Sequence, residues 1–254
     1  ADKLGFFINT VTPAVLAKEK QVVKNEKRQS VDNVPYGHTG AVIAENLYPA
    51  GHPYSWEVIG SLEDLDNATL EDVRNFYRRW YVPGNVALVI AGDFDPVQAR
   101  RWVEKYFAEI PAGGGVESMS PRPTRLGATK RLYHEDNFAT LPQLTMVWPA
   151  VPALHRDAWA LGVLTDLLTD GKEAPLNAVL IDEKKLTGEV TAFTDDGKVA
   201  GEMWLNVQAF DGVDLDAVKA ALDEGFARFE SEGVDADALA RVKTSQEVDF
   251  YGQI

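Results

Sequence analysis

Residues 188–210 read GEVTAFTDDGKVAGEMWLNVQAF. Apolar and polar residues alternate on both sides of Asp195-Asp196-Gly197, which is the pattern of two antiparallel strands joined by a tight turn. Working outward, QLTMVWPAV (143–151) reads as a buried strand, and HRDAWALGVLTDLLTDG (155–171) as a helix stopped at Gly171. A shorter helix is expected in APLNAVLIDEKK (174–185). DLDAVKAALDEGFARFESEG (214–233) is a long amphipathic helix, and another begins in DADALARVKTSQEVDFYGQI (235–254). Strands grouped among helices in this order indicate the α+β class.

Nearer the N-terminus, Thr12 before Pro13 has the form of an N-cap followed by proline at the first helical position. Val15, Leu16, Val22 and Val23 recur at helical spacing, and Pro35, Gly37 and Gly40 end the pattern. HTGAVIAENLY (38–48) is a second helical stretch, followed by the loop PAGHPYSW. Ser61 with Asp64, and Thr69 with Asp72, mark two helix starts. After Pro83-Gly84-Asn85, the run VALVIAGDF (86–94) is expected as a strand, and Asp95-Pro96 opens an amphipathic helix. Glycine and proline crowd residues 113–129, so a linker is expected there between domains at 1–112 and 130–254. Helix, strand, strand and helix recur in part on both sides. The expected architecture is two related α/β layers, each incomplete, with helices packed on a mixed or antiparallel sheet.

The 254 residues are 45% hydrophobic and 25% charged, enough to bury a sizeable core. The formal net charge of −14 opposes binding to phosphate backbones, so nucleic acid is not an expected partner. No apolar run is long enough for membrane insertion. With no cysteine, disulfides, thiolate metal sites and cysteine nucleophiles are excluded. The four histidines, His38, His52, His134 and His155, are too far apart in sequence for a local two-histidine helical site.

Glu19 and Glu26 are seven residues apart on the first long helix, so both carboxylates share one face. Among Lys18, Lys20, Lys24, Lys27 and Arg28, that spacing alone reads first as surface ion pairs. The surrounding pattern adds a second reading. EKQVVKNEKRQSVDNVPYG, then YPAGHPYSWEVIGSLEDL, then TLEDVRNFYRRWYVPGNVALVIAGDFDP closely resembles the pitrilysin/insulinase family of zinc metallopeptidases across residues 1–112. Residues 130–254 resemble the second, metal-free domain of the same family.

The resemblance implies a zinc ion held by two histidines of a His-x-x-Glu-His helix and by a downstream glutamate, with the motif glutamate as general base. The downstream glutamate maps onto Glu26, and a supporting one onto Glu19. Neither His-x-x-Glu-His nor His-Glu-x-x-His occurs in this sequence. The chain is accordingly expected to be an internal fragment, inactive alone and binding little or no zinc, of a zinc endopeptidase that acts on peptides or unfolded segments. Its expected partners are peptide substrate and the rest of the protein, or a homologous subunit that closes a chamber. Two alternatives remain open: a non-catalytic chamber-forming half, and a metal-free binding module. Resemblance to bacterial members points to the periplasm or cell envelope.

Many relatives carry an Arg and a Tyr where this chain has Ile181 and Gly188, which withdraws a substrate- or oxyanion-binding role from those positions. His52 between Gly51 and Pro53 reads as a structural loop residue. His134-Glu135-Asp136 reads as solvated edge charges, because neighbours on an extended strand point to opposite faces. His38 and His155 read as boundary residues. Trp56, Phe76, Tyr77, Trp80 and Tyr81 read as packing groups.

Overall fold

A computed structural model describes residues 1–252. In chain order its helices are α1 (Asp2–Gly5), α2 (Pro13–Lys27), α3 (Thr39–Leu47), α4 (Leu62–Asn67), α5 (Leu70–Trp80), α6 (Pro96–Phe107), α7 (Ala158–Thr169), α8 (Pro175–Asn177), α9 (Leu215–Glu232) and α10 (Ala236–Gly252). Its strands are β1 (Gln143–Ala150), β2 (Thr187–Asp196) and β3 (Gly201–Ala209). The residues form two compact units. One comprises 1–32 and 58–119, the other 33–57 and 120–252.

In the second unit the strands form an antiparallel sheet in the order β1-β3-β2. The hairpin expected at 188–210 is present, but Asp195 and Asp196 are strand residues opposite Glu202 and Gly201, so the turn expected at Asp195-Asp196-Gly197 falls instead at 197–200; a register shift lies between Thr187 and Val190. Strand alternation builds the core. Met203, Leu205, Val207 and Ala209 of β3 face Val218, Ala221 and Leu222 of α9 and Leu176, Val179 and Leu180 of the segment before β2. Residues 178–183 widen into a π-turn rather than continuing the expected helix regularly. Gly225 lets α9 approach this segment, since a Cβ there would lie 2.6 Å from Leu176 Cδ2.

The opposite side of the sheet is met by α3 and the loops beside it. Leu47, Tyr48 and Ala200 are buried together, with Ile43, Tyr54, Leu126 and Val147 packed on them. Tyr36 fastens the start of this segment. Its backbone is left-handed at φ 59°, its N–H donates to Asp136 Oδ2 at 2.7 Å, and its hydroxyl donates to the Leu141 carbonyl at 2.7 Å. Gln208 Nε2 also donates to that hydroxyl at 2.7 Å, and these three bonds can hold a tyrosine in that sparsely populated region.

The first unit is helical among the described residues. The caps read from sequence are formed: Thr12 Oγ1 accepts from Val15 N at 3.2 Å, Ser61 Oγ from Asp64 N at 2.9 Å, and Asp95 Oδ1 from Val97 N at 2.8 Å. Thr69 and Asp72 complete a reciprocal capping box. Residues 111–115 are not a free linker on this unit, because Gly84 N donates to the Ala112 carbonyl at 2.9 Å. Gly113, at φ 75°, sits where a Cβ would strike Val82.

One expected strand is absent. Residues 86–94 pair with no strand among the described residues, although Val86 is extended at φ −126° and ψ 135°. Leu88, Val89 and Ile90 are exposed. A strand requires a neighbour to accept and donate its ladder bonds, and an extended, apolar, β-branched sequence supplies only half of that requirement. The packing expected of the aromatic cluster also holds only in part. Tyr77 is buried and donates its hydroxyl to the Leu4 carbonyl at 2.5 Å, whereas Trp56, Phe76 and Tyr81 are exposed.

Candidate functional site

The charged face of α2 is the first candidate. Thr12 and Pro13 start the helix, and at Arg28 it opens into a π-turn over Arg28–Asp32. Glu26 therefore lies in the last α-helical turn before the widened one, and Ser30 Oγ donates to its carbonyl at 2.7 Å. Such widened turns recur at functional sites. Glu19 and Glu26 are both exposed, on one face, with their Cα atoms about 10 Å apart along the axis. Exposed Val15 and Val22 share that side. Neither glutamate carboxylate enters an ion pair or hydrogen bond among the described residues, although five basic residues share the segment.

The structure does not bring a second metal donor to them. Among the described residues no three His, Asp or Glu side chains gather as a metal-holding group. The donor set fits one contributed ligand, an available carboxylate on a helix, and not a complete site. A metal that needs three or four protein donors would have to take the others from outside these residues.

The histidines have other duties. His52 is buried at 6% exposure, its Nε2 lies 2.9 Å from the Arg122 carbonyl, and its Nδ1 accepts from Tyr54 N at 3.1 Å. These two bonds assign the proton to Nε2 and make the ring a structural latch, as expected for this loop. It stacks on Tyr48 with centroids 4.4 Å apart. His155 Nδ1 accepts from Asp157 N at 3.2 Å at the approach to α7.

Residues 134–136 lie in no strand, so the strand argument for splitting the triplet does not apply, and Asp136 is not a merely solvated charge. It accepts from the N–H groups of Tyr36, Phe138 and Ala139 at 2.7, 2.7 and 2.9 Å. These donors, that of Phe138 first, hold its carboxyl below the usual carboxylate range. Sequence reasoning also missed that the His38 and His134 rings meet, with centroids 5.6 Å apart. Nothing local could have signalled a contact between residues so distant in sequence.

A second candidate is a cavity of about 500 Å³ within the second unit. Val42 and Ile43 of α3, Leu126 and Leu132 of the approach to the sheet, and Leu144 and Val147 of β1 supply its apolar lining, with Lys130 and His134 among its polar groups. β1 is the edge strand on this side. Ile181 and Gly188 contribute nothing polar: Ile181 packs against the core, and Gly188 lies beside the Phe210 ring.

The chain is 27% identical to the zinc protease PqqE of Helicobacter pylori over 246 residues, covering 93% of this chain and 53% of that protein. It thus spans about half the length of that curated relative. A crystal structure of a protease from H. pylori superposes with a TM-score of 0.83 at 22% identity, covering 99% of this chain and 62% of the other. The periplasmic protease PqqL of Escherichia coli superposes at 0.66 and 21% identity, over 92% of this chain and 26% of that one. The family profile described as "Peptidase M16 inactive domain" matches residues 67–246, well over half of the sequence. The chain therefore belongs to the M16, pitrilysin-type, peptidase family, in the region that family defines as its inactive domain.

Proposed function

We propose that this chain is part of a zinc-dependent endopeptidase of peptides or unfolded segments, in which residues 1–112 belong to the metal-binding domain, 113–129 link, and 130–254 begin the metal-free one. The observation that carries the reading is the α2 face, where two exposed carboxylates remain unpaired in a helix rich in lysine. Unpaired acids beside abundant cations are suited to a charge that arrives from elsewhere.

In this reading Glu26 contributes one carboxylate to the zinc, and Glu19, on the same face, orients a neighbouring donor or keeps the local field negative. Zinc, when bound, supplies Lewis-acid polarisation and an acidified water. The two histidines and the general-base glutamate come from outside this chain, from the rest of the protein or from a homologous subunit. The chain alone is inactive. The periplasmic setting of PqqL supports a bacterial periplasmic location, and no helix among the described residues is long and apolar enough to cross a membrane.

The inactive-domain description favours one alternative, a non-catalytic half that shapes a chamber for an active partner. The two separate on zinc content and peptide hydrolysis of the full-length gene product and its Glu26→Gln variant. About one zinc per protein, with zinc and activity both lost in the variant, supports the peptidase reading. Inert, zinc-free protein supports the chamber-forming half.

A further inference from the structure

We infer that Lys20, Lys24 and Asp66 form a clamp that sets the rotation of α2 and so aims Glu26; the inference rests on the reading of Glu26 as a zinc ligand. Lys24 Nζ forms an ion pair with the Asp66 carboxylate, and Lys20 Nζ donates to the Asp66 main-chain carbonyl at 2.9 Å. Both lysines therefore converge on one residue near the C-terminal end of α4. Cations there also complement the carbonyl end of a helix.

Two further observations make the clamp a positioning device rather than a decorative surface pair. First, no residue of α2 is buried. An ordinary amphipathic helix is keyed in rotation by a buried apolar seam, whereas α2 has only Leu16 and Val23, half-buried on the side of Lys20 and Lys24, so the ion pair adds to a shallow contact. Second, the Lys24 side chain is only 14% exposed while that of Asp66 is 59% exposed, so the lysine stem is laid down against the protein and its head is captured at the rim. At about 100° per residue, Lys20 and Lys24 lie about 130° around the helix from Glu19 and Glu26. Holding the lysines on α4 turns the glutamates away from it. A small rotation at the clamp would swing the Glu26 carboxylate sideways, and metal ligands tolerate little displacement.

The clamp residues touch neither metal nor substrate and act through Glu26. Zinc dissociation constants would be measured for the full-length gene product, purified with any subunit it retains, by competition with a chelating dye, alongside thermal unfolding. Lys24→Met and Asp66→Asn should each weaken zinc about tenfold, the lower end of what support of a ligand is worth. Their melting temperatures should stay within about 2 °C of the parent, as expected for a pair near the surface. Lys24→Arg, which keeps the charge and reach, should restore tight binding. The inference is overturned if Glu26→Gln releases zinc while folded Lys24→Met and Asp66→Asn hold it as tightly as the parent. It is equally overturned if zinc loss only tracks a fall in melting temperature and Lys24→Arg does not rescue it. If Glu26→Gln keeps its zinc, or the parent takes up none, the reading of Glu26 fails and the clamp inference fails with it.

Discussion

Two glycines inside helices of the second unit should respond oppositely to the same substitution. Gly162 lies within α7, and a Cβ built there meets no atom within 4 Å. Replacing it with alanine removes backbone freedom from the unfolded chain and should stabilise by up to about 1 kcal/mol. Gly225 lies within α9, where the same Cβ would lie 2.6 Å from Leu176 Cδ2 and 3.5 Å from the Pro175 carbonyl oxygen. Leu176 is fully buried among Val179, Leu180, Val218 and Leu222, so it has nowhere to retreat. Overpacking of this kind costs about 1–3 kcal/mol, and the helix-propensity gain of about 1 kcal/mol offsets only part of it. Gly225→Ala should therefore lose about 1 kcal/mol or more, placing the two variants about 2 kcal/mol apart. Urea unfolding followed by far-ultraviolet circular dichroism measures this, with the midpoints compared at constant slope. Equal midpoints for the two variants would refute the assignment of Gly225 to close helix contact.

Tyr48 is 4% exposed, and its hydroxyl lies beside the Glu202 carboxylate, which also accepts from Trp204 Nε1 at 2.6 Å. Burial first and a hydrogen bond to that carboxylate second push the Tyr48 ionisation up, and Tyr48→Phe, which removes that bond, should lower stability by about 1 kcal/mol in thermal unfolding; an unchanged or raised stability would mean the hydroxyl is unsatisfied. Asp136, whose carboxyl is held low by N–H donors, binds fewer protons folded than unfolded in acid, so its contribution is complete above the unfolded value and is lost as pH falls through the folded one. Protection factors of the Tyr36 and Phe138 amides, corrected for intrinsic exchange, should then fall as pH drops below the ordinary carboxylate range, and in Asp136→Ala should be low throughout. Loss of the Ser61 cap in Ser61→Ala should cost about 1 kcal/mol locally and speed exchange at Asp64; unchanged exchange there would remove the cap from the account.

The parts of this fold that were legible in the sequence are those whose physics is local. Thr12, Ser61, Thr69 and Asp95 each cap the helix that follows them because a short side chain can reach an amide two or three residues on. The two strands at 188–210 were legible from period-two alternation, whereas the turn read at Asp195-Asp196-Gly197 lies further on, at 197–200. Residues 86–94 show the limit: their composition reports fitness for a sheet, and pairing depends on a neighbour that no nearby residue encodes. The site divides along the same line. Spacing alone places Glu19 and Glu26 on one face of α2. What turns that face outward is a contact with Asp66, distant in sequence and of a residue type found throughout the chain. On α2 only Leu16 and Val23 are half-buried apolar residues while Val15 and Val22 are exposed, so apolar periodicity gives the direction of that helix only coarsely. The orientation of the candidate ligand is therefore a tertiary property, carried by charges whose partners only the fold identifies.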